Sequence, residues 1–201
     1  MSSTAFSLTQ GRRTLLLLVV LLAMPFLIAF ALYWFEWRPA KLANHGQLIE
    51  PPQPLPENGL RHADGRPLPT EELRRKWTLI VVNRGECAEA CQRDLQQIRQ
   101  VQVALNKEMM RLRRVLLGDS LSTLRADTGM PAIRAAYPDL LLAAPVEGEG
   151  GQPLRALFDG QAYRFYVVDP LGNVMLRYPA HAEMAGMLKD LERLLKYSWV
   201  G

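Results

Sequence analysis

An uncharged apolar run at residues 14–35, TLLLLVVLLAMPFLIAFALYWF, constrains this chain more than any other feature. Crossing the hydrocarbon core of a bilayer as a helix takes about 20 apolar residues, and this run supplies them. Tyr33 and Trp34 end the run and Trp37 follows it, as is typical of aromatic rings at a membrane interface. The run predicts one transmembrane helix, with Pro25 as a potential kink, and leaves the rest of the chain to fold outside the membrane.

Positive charge before the run predicts its orientation. Arg12 and Arg13 precede it in a segment without acidic residues, and such an excess of basic residues favours the cytoplasmic side. Arg38 and Lys41 follow the run, but a large downstream domain is exported despite charges of this kind. We expect residues 1–13 to be a cytoplasmic tail at the inner membrane of a Gram-negative-type bacterium, with the C-terminal domain in the periplasm.

A cleaved signal peptide is the alternative to a membrane anchor. Residues 29–31 (AFA) have the small-x-small form of a cleavage site. However, apolar sequence continues to Phe35 with no polar region before the cut. The run is also longer than the ~7–15 residues of a signal-peptide core. These features favour an anchor that is retained.

Prolines recur after the apolar run, and PPQPLP at residues 51–56 is expected to be extended and stiff. We interpret residues 36–72 as a Pro-rich linker and residues 73–201 as one periplasmic domain of ordinary size. The formal net charge of +4 comes without a long basic block or basic residues interleaved with aromatic ones. A nucleic-acid partner is therefore not expected.

The domain opens with WTLIVVN at residues 77–83, a short apolar run rich in β-branched residues that is typical of a buried strand. Apolar residues at three- and four-residue steps then predict a helix from about Glu89 to Arg113. Residues 115–117 (VLL), followed by Gly-Asp-Ser, predict a second strand. A strand, a long helix and a strand form a βαβ unit with parallel strands.

A hairpin signature marks the second half of the domain. The β-rich arms YRFYVV (163–168) and VMLRY (174–178) flank DPLGN, a turn that contains Pro and Gly. Three further segments are predicted, namely a weaker helix interrupted near Gly129 (121–137), a flexible loop (145–153) and a last helix (181–196). The order β-α-β-α-β-β-α, with a parallel pair followed by a hairpin, predicts an α/β thioredoxin-like fold.

Two cysteines, Cys87 and Cys91, lie where the first strand passes into the long helix. The partial positive charge of a helix N-terminus raises the thiolate fraction of a thiol there. Residues four apart on a helix have Cβ atoms ~5–6 Å apart, whereas a disulfide needs ~3.5–4.5 Å, so Cys87 must lie slightly outside regular helix to close one. Two soft thiolates on one face also select metals such as Cu(I). A structural disulfide, dithiol–disulfide exchange and copper binding all remain open from these residues.

With these residues the chain resembles the Sco/SenC family, membrane-anchored thioredoxin-fold proteins that help to mature the copper centre of cytochrome c oxidase. The resemblance rests on the anchor, the strand running into Cys87-x-x-x-Cys91, the element order, and FYVVDPLGNV at 165–174, which is similar to that family's φ-Y-φ-φ-D-P-x-G hairpin. It covers roughly residues 70–197. It implies that Cys87 and Cys91 form a redox pair and that the same two residues would bind copper.

Two positions depart from the family's pattern. Gln92 follows the second cysteine where the family has proline, and Gln161 occupies, by count from the DP dipeptide, the place of a histidine that is the third copper ligand. A glutamine amide is a poor ligand for Cu(I). The histidines of this chain are elsewhere, at His45, His62 and His181. The departures indicate a divergent Sco-like paralogue.

These observations predict a membrane-anchored factor that supports cytochrome c oxidase assembly through Cys87 and Cys91, by copper handling or by thiol reduction. Its expected partners are the lipid bilayer and oxidase subunits or other assembly factors. Two alternatives remain. One is a general periplasmic thiol–disulfide oxidoreductase, an enzyme acting on many clients, and the other is a non-catalytic membrane scaffold of an assembly complex.

Overall fold

The computed structural model of the protein describes residues 8–35 and 44–198. The chain divides into two compact units, Met1–Ala43 and Asn44–Gly201. Residues 1–7 of the predicted cytoplasmic tail lie outside the described residues. Residues 36–43 of the predicted linker, which include Trp37, Arg38 and Lys41, also lie outside them.

The first unit contains a single long helix among its described residues, α1 (Leu8–Trp34), which continues through Pro25. Its part Gly11–Trp34 is 24 residues long, has a mean hydropathy of 3.0 and buries none of its surface within the structure. At 1.5 Å per residue this stretch is about 36 Å long, enough for the ~30 Å hydrocarbon core of a bilayer. By length and composition α1 can span a membrane, as the apolar run predicts.

The second unit is built on one eight-stranded sheet with the strand order β1-β8-β7-β4-β5-β6-β2-β3. The strands are β1 (Gln47–Pro54), β2 (Leu60–His62), β3 (Pro67–Leu68), β4 (Trp77–Asn83), β5 (Leu112–Gly118), β6 (Leu141–Pro145), β7 (Tyr163–Val168) and β8 (Asn173–Pro179). The helices are α2 (Thr70–Leu73), α3 (Glu89–Ala104), α4 (Leu121–Ala126), α5 (Met130–Ala136), α6 (Gln152–Phe158) and α7 (Met184–Tyr197). Two 3-10 turns, Asn106–Arg111 and Glu149–Gly151, complete the described elements.

The centre of the sheet is the predicted buried strand. Every residue of β4 is buried, because apolar side chains cover both of its faces, as is typical of strands in a two-sided α/β sheet. It pairs in parallel with β5 and antiparallel with β7. One face of the sheet packs on α3 and α7 and contains both cysteines, while residues from α2 and α6 join the core on the other face.

Helix α3 begins where it was predicted but ends earlier. It stops at Ala104, and the chain continues as a 3-10 turn until β5. Gln102, the one polar residue in the apolar stripe, is buried and explains this ending. Its amide donates hydrogen bonds to the carbonyls of Met109 (3.3 Å) and Leu112 (2.7 Å), which satisfies polar groups that the turn would otherwise leave buried and unpaired.

The predicted hairpin is present as β7 and β8, which pair antiparallel. Asp169 organises its turn: Oδ1 accepts the N–H groups of Leu171 (2.9 Å) and Asn173 (2.8 Å), and Oδ2 accepts the side-chain amide of Asn173 (3.0 Å). Gly172 has a φ of +95°, which costs little at glycine because it has no Cβ. The hairpin places β8 beside β7, and β7 in turn pairs with β4.

The predicted linker differs most from the structure. From residue 47 onward it contributes β1, β2, β3 and α2, with β1 on β8 and β2 on β6. Prolines did not prevent this because β1 is an outermost strand, where a missing backbone N–H is tolerated. Strand β6 and helix α6 were also not predicted, and they reduce the loop predicted at 145–153 to the connection at 146–148 followed by a 3-10 turn.

Candidate functional site

The two cysteines form a disulfide with a Cα–Cα distance of 5.0 Å. Cys91 lies in the first turn of α3, whereas Cys87 precedes the helix and Ala88 is its extended N-cap residue. The expectation that Cys87 must lie outside regular helix is confirmed. Cys87 therefore lies in a short loop after β4, and its sulfur bonds to that of Cys91, which is part of the helix.

Both cysteines belong to the core on the α3 and α7 face of the sheet. Cys87 is 4% exposed and Cys91 is 1% exposed. An incoming thiol reaches a sulfur only if the Cys87 loop moves, because neither side chain lies at the surface. The redox role of the pair stays a prediction.

Hydrogen bonds between side chains and the backbone hold the loop that carries Cys87. The Gly85 N–H donates to Asp119 Oδ2 (2.8 Å) and the Asn83 side-chain amide donates to the Gly85 carbonyl (2.8 Å). The Cys87 N–H donates to Asp127 Oδ2 (2.7 Å). Charged acceptors make such bonds stronger than neutral ones. The ends of β4, β5 and α4 thus fix the path of the loop.

An ion pair lies about one helical turn after Cys91. Asp94 lies three residues after Cys91 on α3 and is buried, and it accepts a hydrogen bond from Arg164 Nε on β7. Arg164 Nη2 also donates to Asn83 Oδ1 (3.3 Å) at the end of β4. Burial raises the pKa of the Asp94 carboxyl above its ordinary value, although Arg164 opposes the shift.

A cleft of about 360 Å³ opens beside this ion pair, and Ala90, Asp94, Arg164 and His181 are among its lining residues. Ala90 precedes Cys91 in α3. The cleft therefore reaches the helical turn that carries the disulfide, and its charged lining suits polar or anionic groups.

Cys87 and Cys91, the predicted copper ligands, are in contact, while the glutamines and histidines considered beside them occupy different places. Gln161 is exposed on the turn before β7, and Gln92 is exposed on α3, with its amide 3.4 Å from the Cys87 carbonyl. His181 is exposed in the cleft. His45 lies beside Asp190, with a distance of 3.3 Å between Nδ1 and Oδ1, and His62 lies beside Glu72, with 3.4 Å between Nε2 and Oε2.

The donor set of the site is smaller than the three copper ligands that the family resemblance implies. Among residues 8–35 and 44–198, no three His, Cys, Asp or Glu side chains form a group that could hold a metal ion. Reduction of the disulfide would supply two soft sulfur ligands, but the amide at position 161 is a hard and weak donor for Cu(I). The arrangement suits dithiol–disulfide chemistry, which needs nothing beyond the two sulfurs.

Sequence reasoning missed Asp94, Asp119, Asp127 and Arg164. The sequence indicates one local hydrogen bond of Asp127, since Asp-x-Gly favours an Asx turn. Nothing in the sequence connects Asp127 with a cysteine forty residues earlier. Arg164 lies in the predicted hairpin arm YRFYVV, and nothing in that pattern indicates its ion pair. These contacts arise from the way the sheet brings separate segments to one edge.

Solved structures with the same fold come from several organisms. The apo Sco1 protein of Thermus thermophilus matches with a TM-score of 0.60 at 17% identity, over 78% of this chain and 99% of the other. Copper-bound yeast Sco1 matches with a TM-score of 0.57 at 16% identity, over 75% and 96% of the two chains. BsSco, described as a member of the Sco family of cytochrome c oxidase assembly proteins with a disulfide switch, matches with a TM-score of 0.54 at 16% identity, over 76% and 100%. The predicted Sco-like thioredoxin fold is confirmed.

A comparison of the sequence with curated proteins gives no match. A family model does match, and it covers residues 77–198, which is more than half of the chain. The match begins at β4 and ends after α7, so it contains the disulfide, the Asp127 contact and the hairpin. The chain belongs to the family described as transmembrane-like, thioredoxin-like, C-terminal domain.

Proposed function

We propose that this protein is a membrane-anchored thiol–disulfide factor that supports assembly of cytochrome c oxidase, with Cys87 and Cys91 as its redox pair. The observation that carries the proposal is the Cys87–Cys91 disulfide at the junction of β4 and α3 in a Sco-like fold. The relation to oxidase assembly comes from BsSco, a cytochrome c oxidase assembly protein with a disulfide switch.

The proposed location is the bacterial inner membrane, with the domain in the periplasm. Helix α1 is long and apolar enough to span the bilayer once. Arg12 and Arg13 favour a cytoplasmic N-terminus. The periplasm is an oxidising compartment in which a disulfide of this kind persists.

The dithiol form would act as a reductant. The Cys87 thiolate attacks a client disulfide, forms a mixed disulfide and releases one client sulfur, which takes up a proton. The Cys91 thiolate then attacks the Cys87 sulfur, which releases the second client thiol and closes the disulfide of this structure. Two electrons pass to the client, and a second periplasmic dithiol returns two electrons to the pair.

Cys87 is the proposed attacking residue because it precedes the helix, whereas Cys91 is part of the first turn. The order can be tested with Cys91→Ser, which should trap a mixed disulfide with the client on Cys87. A Cys87→Ser variant that supports full oxidase activity would contradict the proposal.

The main experiment is complementation of a strain that lacks this gene. Wild-type protein should restore cytochrome c oxidase activity in isolated membranes, and a Cys87→Ser/Cys91→Ser variant should restore none. Replacement of residues 14–35 by an unrelated transmembrane helix is the matched control and should leave the activity intact. Full activity of the double serine variant, with loss of activity when the helix is replaced, would instead support the scaffold alternative.

A general oxidoreductase is distinguished by the range of its clients. Thiol trapping in the deletion strain should show oxidised cysteines in oxidase subunits or their assembly partners, while other periplasmic dithiols remain unchanged. A broad change across periplasmic proteins would favour the general enzyme over the assembly factor.

Copper handling is the second candidate, because copper-bound Sco1 from yeast has the same fold. The reduced full chain in detergent is titrated with Cu(I) against a chelator of known affinity, with the double serine variant as control. Because Gln161 stands where the resemblance implies the third copper ligand, we expect no binding above the control. Tight one-to-one binding that requires Cys87 and Cys91 would restore the copper role.

A further inference from the structure

A buried carboxylate contacts the first cysteine of the pair. Asp127 Oδ2 accepts the Cys87 N–H at 2.7 Å, although forty residues separate the two in the chain. Asp127 is 6% exposed and Cys87 is 4% exposed. In such a poorly solvated place a carboxylate acts more strongly on its neighbours than it would at the surface.

Asp127 is rigidly held at the end of α4. Its Oδ1 accepts the Gly129 N–H (2.8 Å), its carbonyl accepts the Met130 N–H (3.1 Å), and its own N–H donates to the Thr123 carbonyl (3.1 Å). Each side-chain oxygen therefore bonds to a backbone N–H group. The carboxylate fixes Cys87 relative to α4 and α5.

Two cationic side chains line a cleft together with Asp127, and one is bonded to other groups while the other is exposed. Arg125 and Arg134 line the cleft on which Asp127 borders. Arg125 donates to the carbonyls of Ala63 (3.2 Å) and Asp64 (2.6 Å), and Arg134 is exposed. The hydrogen bonds to the Asp127 carboxylate come from backbone amides, and within residues 8–35 and 44–198 it has no guanidinium partner like that of Asp94.

We propose that Asp127 is a positioning residue that shifts the redox equilibrium of the Cys87–Cys91 pair toward the disulfide. Its hydrogen bond holds Cys87 where the sulfur meets Cys91. Its negative charge disfavours a thiolate on Cys87 once the disulfide opens, because like charges repel in a buried site. Both effects make the dithiol a stronger electron donor.

The balanced reaction is disulfide exchange with a reference thiol. Two molecules of reduced glutathione supply two electrons and two protons to the Cys87–Cys91 disulfide, which yields the dithiol and oxidised glutathione. Asp127 lowers the equilibrium constant of this reaction. This inference rests on the proposed function, since a stronger electron donor suits a pair that reduces a client disulfide.

The test is the equilibrium with glutathione at pH 7, measured by thiol alkylation on the full chain in detergent. Asp127→Asn should raise the equilibrium constant for reduction about tenfold, equivalent to about 30 mV for a two-electron couple. A change of less than about twofold would overturn the proposal.

Two further variants distinguish the effect of the Asp127 charge from that of a general change in structure. Asp127→Ser removes the charge and leaves a shorter hydroxyl at this position, and it should shift the equilibrium in the same direction. Asp94→Asn removes a buried carboxylate that does not contact Cys87, and it should leave the constant within about twofold. If Asp127→Asn fails to fold, Asp127→Ser decides, and an unchanged constant in Asp127→Ser overturns the role of the charge.

Failure of this inference is distinguishable from failure of the proposed function. The glutathione equilibrium is a property of the purified protein, whereas oxidase assembly is measured in cells. A shifted equilibrium with no cysteine requirement for oxidase activity would leave Asp127 as a redox residue and refute only the assembly role.

Discussion

The two sides of the disulfide are held in different ways. On the Cys87 side, a loop without regular structure is fixed by backbone N–H groups that donate to Asp119 and Asp127. On the Cys91 side, the sulfur is part of a helix, and the nearby Asp94 carboxylate is paired with the Arg164 guanidinium. One side is stabilised by backbone geometry and the other by opposite charges.

The difference shows that two sulfurs of one disulfide need not be electrostatically equivalent. Beside Cys91 a buried negative charge is balanced by a cation, while beside Cys87 a buried negative charge is met by peptide dipoles. Changes on the Cys91 side should therefore act mainly on folding stability. Changes on the Cys87 side should act on the equilibrium between disulfide and dithiol.

The largest effect is expected from removing the cation on the Cys91 side. Arg164→Met leaves the buried Asp94 without its partner. Because the Arg164 side chain is partly exposed, the loss of unfolding free energy should be about 3 kcal/mol, the lower end of the range for a broken buried ion pair. Urea denaturation of the oxidised chain in detergent, followed by tryptophan fluorescence, measures the loss.

The double variant Arg164→Met/Asp94→Leu is the control for that prediction. It removes both charges, and replacing a buried pair by apolar residues is often close to neutral. The double variant should therefore regain most of the lost stability. If it is as unstable as the single variant, packing by the arginine stem would explain the loss better than charge.

A smaller effect is expected from altering the backbone on the Cys87 side. Gly85 has a φ of +82°, and a Cβ added there would meet no atom within 4 Å. Gly85→Ala should therefore lose about 1–2 kcal/mol of unfolding free energy through backbone strain alone. Because the strain lies in the loop that closes the disulfide, the glutathione equilibrium should shift as well.

Gly148→Ala is the matched control, since Gly148 has a φ of +75° and equally open space but lies in the connection after β6. Gly148→Ala should lose at least as much stability in denaturation experiments, because its φ of +75° and ψ of −154° lie in a region that residues with a Cβ rarely adopt. Only Gly85→Ala should change the ratio of disulfide to dithiol at a given glutathione potential. An equal change in both variants would remove the distinction between the two regions.

The smallest expected effect is on the pH dependence of stability. Burial raises the pKa of Asp94 above its ordinary 3.8, with Arg164 opposing the shift. Between the two values the folded state keeps a proton that the unfolded state has released, so the unfolding free energy falls as pH rises from about 3.8 to the folded value. Asp94→Asn should abolish this fall in denaturation curves recorded across that window, and an unchanged slope would contradict the assigned pKa direction.

Local patterns predicted the parts of the fold that are locally encoded. The strand WTLIVVN matches β4 residue for residue, and the turn at Asp169 is formed by bonds within five residues. Strand β1 could not be predicted in this way, because its pairing with β8 joins residues more than a hundred positions apart. A proline-rich segment has the same local appearance whether or not a sheet edge accepts it.

The same difference between local and long-range contacts applies to the candidate site. The two cysteines and their position at a strand–helix junction follow from spacing and periodicity. Asp127 and Arg164 do not, since their roles depend on which segments the sheet places beside the loop and the helix. The charge environment of the disulfide is therefore a property of the tertiary fold.

The proline-rich strand β1 also limits whether a further strand can pair with the edge of the sheet. Its prolines at positions 51, 52 and 54 lack the N–H groups that a further strand would need, and at the opposite margin β3 is two residues long and begins with Pro67. An outermost strand without these features is a template for aggregation and for extended partners. Copies of this protein should thus meet through side chains and not through shared β-structure.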